Sequence, residues 1–305
     1  MTFPFALGPR GAFLQYSWIY AGVLVVALVA GLAWVVGDQL SVPVLRPVGD
    51  PPADLDARSV EFPSTSGSVV HGWLSRGLAG QGAILLIHGV RGDRRDMLSR
   101  AQFLHQAGYT VLLIDLQSHG ESNGKHITFG YLESRDVSGA LELLGKEFSA
   151  DRIGVIAESM GAAAFVLAKE RPAVSAVVLE SMYPTIDQAL SNRLRLHLGS
   201  FGPVLATLFE MLLQPRLGIT ADDLRPIDRV GDVDAPVFII AGSSDEHTTP
   251  QESAAIFAAA SQPKELWLVP GAAHVNLHDF AKEEYERKIL EYFARYLHSP
   301  PRGRR

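Results

Sequence analysis

The chain contains no cysteine. Disulfide staples, thiolate metal sites and a thiol nucleophile are therefore excluded, although this absence fits either side of a membrane. Basic residues are in deficit, 27 Lys and Arg against 33 Asp and Glu, for a formal net charge of −6. That balance argues against a general nucleic-acid role. The basic run Arg302-Gly303-Arg304-Arg305 belongs to a short tail at 299–305 and reads as a solvated end. No internal repeat or low-complexity segment stands out. With 47% hydrophobic and 20% charged residues over 305 positions, the composition is that of a folded chain with a sizeable core.

Charge is also missing from Ser17 to Val36, SWIYAGVLVVALVAGLAWVV. About 20 such residues suffice to cross roughly 30 Å of hydrocarbon. Tyr16, Trp18, Tyr20 and Trp34 stand at its ends, where aromatic side chains settle at membrane interfaces. A tail at 1–16 and a membrane helix at 17–36, a signal anchor, are expected. Arg10 precedes the run; Asp38, Arg46, Asp50, Asp54 and Asp56 follow it. The positive-inside rule then favours a catalytic domain on the extracytoplasmic side. The rival is a secretory signal cleaved near Gly31-Leu32-Ala33, giving a secreted protein. Pro43, Pro47, Pro51 and Pro52 make 37–57 read as a semi-rigid linker.

From 58 to 298 the pattern alternates. Arg58–Phe62 and Val69–Leu74 read as a hairpin across Ser64-Thr65-Ser66-Gly67-Ser68. Buried strand runs follow at Ala83–Ile87, Val111–Ile114, Ile153–Ile156, Val174–Leu179, Val237–Ala241 and Glu265–Val269. Helical spacing lies between them, at Met97–Ala107, Leu132–Leu144, Pro250–Ala260 and finally Phe280–Leu297. Fully apolar strands separated by helices predict an α/β fold, a mostly parallel sheet covered on both faces. Between Ser181 and Val233 the alternation stops. Helical pieces at Ile186–Leu198 and Val204–Leu213 predict a helical cap over the carboxyl ends of the strands.

Two serines compete for a nucleophile's position. Ser122, in Gly120-Glu121-Ser122-Asn123-Gly124, fits G-x-S-x-G letter for letter. Ser159, in Ala157-Glu158-Ser159-Met160-Gly161, has alanine first. A nucleophile elbow, however, needs strand, serine and helix without a gap. Ser159 meets that requirement, and Ser122 lies in a turn-rich loop well past its strand. A serine also needs a base oriented by a carboxylate. Asp245 follows the strand Val237–Ala241 and His274 follows Glu265–Val269, both at strand carboxyl ends where an open α/β sheet presents ligand-facing residues.

With His88-Gly89, the loop DLQSHGES at Asp115–Ser122, AESMG at Ala157–Gly161, and the late pair GSSDEHTTP and VPGAAH, the chain resembles the α/β-hydrolase superfamily of serine hydrolases. The resemblance spans about Arg58 to Leu297. It is nearest to membrane-anchored or secreted bacterial members with an amino-terminal helix and a modest helical cap. It implies a Ser159, His274 and Asp245 triad, and an oxyanion hole from the backbone N–H groups of Met160 and Val90. It also implies that the loop holding Ser122 is structural.

Asp187 and Asp228 are weaker acid candidates, the first in the cap and the second ahead of a strand. His247 reads as a loop residue or pocket wall, and His88 and His119 as structural loop histidines. The pair His274 and His278 lacks the glutamate of H-E-x-x-H, so neither a metal nor a cofactor is expected. Leu194, Leu196, Leu198, Val204, Leu205, Leu208, Phe209, Leu212 and Leu213 could line an acyl pocket or pack the cap itself. The expected reaction is cleavage of an ester or related acyl bond in a small-molecule or lipid-like substrate. Peptidase and thioesterase activities would use the same triad, and a scaffold that lost the chemistry would keep the fold.

Overall fold

The computed structural model describes residues 9–298, apart from the side chains of residues 9–15, Leu32 and Val204. The basic tail and the first eight residues lie outside the described set. Helix α1 (Pro9–Ser41) runs five residues beyond Val36, where the apolar run ends. Its segment Tyr16–Ser41 is long and apolar enough to cross a membrane, with a mean hydropathy of 2.5 over its most apolar 18 residues. The residues after it do not hang free. Strand β1 (Val44–Leu45) pairs in parallel with a second short strand at residues 119–120.

The hairpin is formed by β2 (Ala57–Pro63) and β3 (Val69–Ser75), with β-turn residues between them. Then come β4 (Ala83–Ile87), α2 (Leu98–Gln106), β5 (Thr110–Ile114) and the short β6 (His119–Gly120). Next are α3 (Glu133–Glu147), β7 (Ile153–Glu158), α4 (Met160–Leu167) and β8 (Ala176–Glu180). The cap helices α5 (Ile186–Leu198) and α6 (Gly202–Leu217) interrupt the rhythm. It resumes with β9 (Val237–Gly242), α7 (Pro250–Ala259), β10 (Lys264–Val269), the single turn α8 (Leu277–Phe280) and α9 (Lys282–Leu297).

The main sheet has eight strands in the order β10-β9-β8-β7-β4-β5-β3-β2. Its hairpin edge is antiparallel and the rest is parallel. Each strand feeds two cores because side chains alternate across it. From β4, Leu85 and Ile87 enter the layer with Val137 and Leu141 of α3 and Phe165 of α4. Ile84 and Leu86 enter the opposite layer, with Leu104 of α2 and Ile289 and Phe293 of α9. Both faces are covered, so a strand such as Ala83–Ile87 can be apolar throughout. The cap has a small core of its own, built on Ile186, Leu213, Ile219 and Leu224.

Candidate active site

The corner after β7 is a tight local constraint at the carboxyl edge of the sheet. Ser159 sits at φ 51°, ψ −114°, in a region that costs a non-glycine residue about 1–3 kcal/mol. Its N–H donates to Glu180 O at 2.7 Å, and its own carbonyl accepts from Ala163 N at 3.1 Å. Those bonds fix the turn from strand to α4. Gly161 cannot carry a side chain, because a Cβ would stand 2.5 Å from His88 O. The helix therefore passes directly against the loop that follows β4. Ala157 meets no such limit: it lies inside β7, opposite Ile87 and Leu179, without a positive φ.

Ser122 is in a different setting. It is fully buried, its hydroxyl donating to Asp115 O at 2.7 Å and accepting from His71 N at 2.9 Å. The first glycine of its motif serves the same loop. Gly120 has φ +52°, and a Cβ there would fall 2.2 Å from the Asp115 carboxylate. Asp115 is itself bound by the Arg94 guanidinium and accepts from Arg94 N at 2.7 Å and Glu121 N at 2.9 Å. The letter match thus arises from packing around a buried ion pair.

At the ends of β9 and β10 the other two candidates meet. His274 Nδ1 lies 2.8 Å from Asp245 Oδ2. The second oxygen of Asp245 accepts from the backbone N–H groups of His247 and Thr248, at 2.8 and 2.9 Å. Burial alone would raise the Asp245 pKa; the His274 contact and the two backbone donors outweigh it and hold the carboxyl below its usual value. With Nδ1 donating to Asp245, Nε2 of His274 is left as the basic nitrogen. His247 packs edge-on against His274, ring centroids 5.2 Å apart. Its pKa is lowered by burial first and then by Arg193. His278 is directed elsewhere, to Ser99 at 3.1 Å and Glu286 at 2.9 Å, and stacks on Phe103.

The loop carrying Val90 is braced by histidines. His88 is buried, its Nδ1–H donating to Gly89 O at 2.7 Å and its Nε2 accepting from Leu116 N at 3.1 Å. His119 donates through Nδ1 to Gln117 O at 2.9 Å and accepts the Arg91 N–H at 3.0 Å. Burial lowers both histidines from 6.5 to about 4, so each is neutral at pH 7. Arg46, from the segment after α1, donates to Arg91 O at 2.7 Å and pairs with Asp93, also at 2.7 Å. Among the described residues, neither the Val90 N–H nor the Met160 N–H donates to another group.

Ser159, His274, Val90 and Met160 line one cleft of about 90 Å³. Ser159 and His274 form no direct hydrogen bond there. The walls come from three parts of the chain: Leu40 of α1, Phe129 before α3, and Ile186, Ala189 and Leu190 of α5. Tyr183 fixes Phe129 by donating to its carbonyl at 2.5 Å. Arg91, Arg193 and His247 supply the polar lining. Sequence reasoning missed Leu40 and the α5 residues; of the cap side chains it named, Leu196 and Leu198 prove exposed, while Phe209, Leu212 and Leu213 line a small chamber of their own. The signal for the α5 set was present, since positions 186, 189 and 190 share one helical face. Among the described residues, no cluster of three or more His, Asp or Glu could hold a metal ion. The arrangement provides an imidazole held by an anchored carboxylate, a half-buried hydroxyl at a strand-to-helix corner and two backbone donors around one cleft.

Residues 84–287 match the family model described as the alpha/beta hydrolase family. The chain belongs to that family. It is 32% identical over 263 residues to the uncharacterized protein Rv2307c of Mycobacterium tuberculosis, covering 83% of this chain and 86% of the relative. It is 24% identical over 213 residues to the uncharacterized protein YqkD of Bacillus subtilis, covering 68% and 70%. Among solved structures, the Pyrococcus furiosus esterase Pf2001 superposes with a TM-score of 0.68 at 22% identity, covering 84% of this chain and 98% of that one. The esterase domain of a Rhodothermus marinus protein gives 0.57 at 18% identity, covering 79% and 99%. At these identities the structural likeness establishes the fold. Family membership supports hydrolytic chemistry.

Proposed function

We propose that the protein is a serine hydrolase that cleaves an ester of a lipid-like acyl group through an acyl-enzyme. Ser159 Oγ attacks the ester carbonyl while His274 Nε2 takes its proton, and Asp245 orients and charge-balances the imidazolium. The tetrahedral oxyanion rests on the Val90 and Met160 N–H groups. As it collapses, the C–O bond to the alcohol breaks and His274 returns the proton to the leaving oxygen. Water, activated by the same histidine, then releases the acid and frees Ser159. The observation that carries this reading is the 2.8 Å His274–Asp245 contact beside a cleft that Ser159 also lines from a positive-φ corner.

Two similar solved structures are named as esterases, which favours ester over peptide substrates. Helix α1 favours an apolar acyl group, because a protein held at a bilayer meets lipid esters at high local concentration. In this reading α1 is retained as an anchor rather than cleaved, since Arg216 of α6 holds its end through Asp38 at 3.0 Å and Ser41 at 3.2 Å. Intact-mass spectrometry during turnover of a p-nitrophenyl ester is the test. A burst of nitrophenol with one acyl adduct on Ser159 is expected. Hydrolysis without an adduct, or an adduct elsewhere, would overturn it.

A further inference from the structure

We infer that the acyl chain of the substrate lies in a narrow groove between the amino-terminal helix and the cap, so that α1 forms one wall of the binding site. This deepens the serine-hydrolase reading and rests on it. The cleft at Ser159 does not end at Leu40, Phe129 and Leu190. The same three side chains also line a second, smaller chamber, whose other walls are Gly37 of α1 and Phe209, Leu212 and Leu213 of α6. The two spaces therefore adjoin across a shared apolar constriction.

The outer chamber is tight, about 20 Å³, room for little more than one water-sized group, so a guest entering it must part the side chains of α1 and α6. Its lining suits an alkyl chain. Among the described residues, the one charged side chain at the chamber is Arg216, and its guanidinium is already engaged by Trp34 O, Asp38, Ser41 and the face of the Trp34 ring. No free charge faces a guest, so the groove would favour methylenes over water.

The direction of the groove supplies the source of the chain. It runs from the candidate nucleophile toward the helix α1, whose most apolar 18-residue window is only 6% buried. Phe201 and Met211, on the same cap hairpin, are 75% and 67% exposed. An acyl chain leaving a bilayer beside α1 would enter the outer chamber first and bring its ester to Ser159 last.

The experiment uses the full chain in detergent micelles and p-nitrophenyl esters from acetate to palmitate. Leu212, half-buried in the outer chamber, is replaced by a larger and by a smaller residue. Leu212→Trp should lower kcat/KM for laurate and palmitate roughly tenfold or more and leave acetate and butyrate within about twofold. Leu212→Ala should shift the preferred length upward. Equal effects on all lengths in both variants, or none, would overturn the groove while butyrate turnover and fluorophosphonate labelling stand. A wild-type chain that neither hydrolyses butyrate nor takes the probe would instead overturn the reading of the site itself.

Discussion

Asp245 holds His274 with one carboxylate oxygen, at 2.8 Å, while its other oxygen is held by the His247 and Thr248 backbone. The carboxylate is 2% exposed and cannot turn away without leaving two amides unpaired. Its position fixes which imidazole nitrogen carries the proton. Asp245→Asn keeps the shape and loses the charge, and an amide NH₂ facing His274 would favour the wrong tautomer. We expect kcat to fall about 10⁴-fold with KM little changed. Steady-state kinetics on butyrate ester checks this, and a loss confined to KM would contradict it.

Arg46 braces the Val90 loop from outside, by its bond to Arg91 O and its contact with Asp93. Its side chain is 39% exposed, so its contribution to global stability should be small. Arg46→Ala should lower kcat on the order of tenfold, since loosened backbone donors lose transition-state stabilisation, with Tm nearly unchanged. Equal loss of Tm and activity would instead mark Arg46 as a folding residue.

His88 and His119 set an acid limit on the fold. Both titrate near 4 when folded and near 6.5 when unfolded, so the unfolded chain binds more protons between those values. Their contribution to stability is complete above about pH 6.5 and is lost as pH falls toward 4. Each can amount to about 3 kcal/mol. Asp136 acts in the opposite sense: burial raises it to about 7, and its contribution is lost as pH rises toward that value. Comparing variant with parent cancels Asp136. Urea melts from pH 7 to 4.5 should show a shallower acid loss in His119→Gln than in the parent. Parallel curves would contradict the assignment.

The centre of the sheet was legible because runs such as Ala83–Ile87 and Val111–Ile114 are unbroken and apolar, and Ala83–Ile87 is observed over the expected residues. The elbow was legible in Ile153–Gly161 because a strand abuts a helix with one small residue on either side of the corner. What sequence could not convey depends on contacts between distant positions. Asp38 and Ser41 belong to the stretch read as a linker, yet they lie in α1, where Arg216, far along the chain, binds them. The same packing brings Leu40 into the cleft. The segment with Pro43 and Pro47 read as a linker and instead pairs with β6 and braces the Val90 loop. The glycine of the better letter match, Gly120, answers to Asp115, a constraint visible only once the loop is closed.

Labelling of the full chain with a fluorophosphonate probe tests the central claim most directly, comparing wild type, Ser159→Ala and Ser122→Ala. Attack by Ser159 predicts one covalent adduct in wild type, none in Ser159→Ala, and an adduct retained in Ser122→Ala, where loss of a buried hydroxyl lowers stability by about 1–3 kcal/mol. Labelling that survives Ser159→Ala and disappears in Ser122→Ala would contradict it.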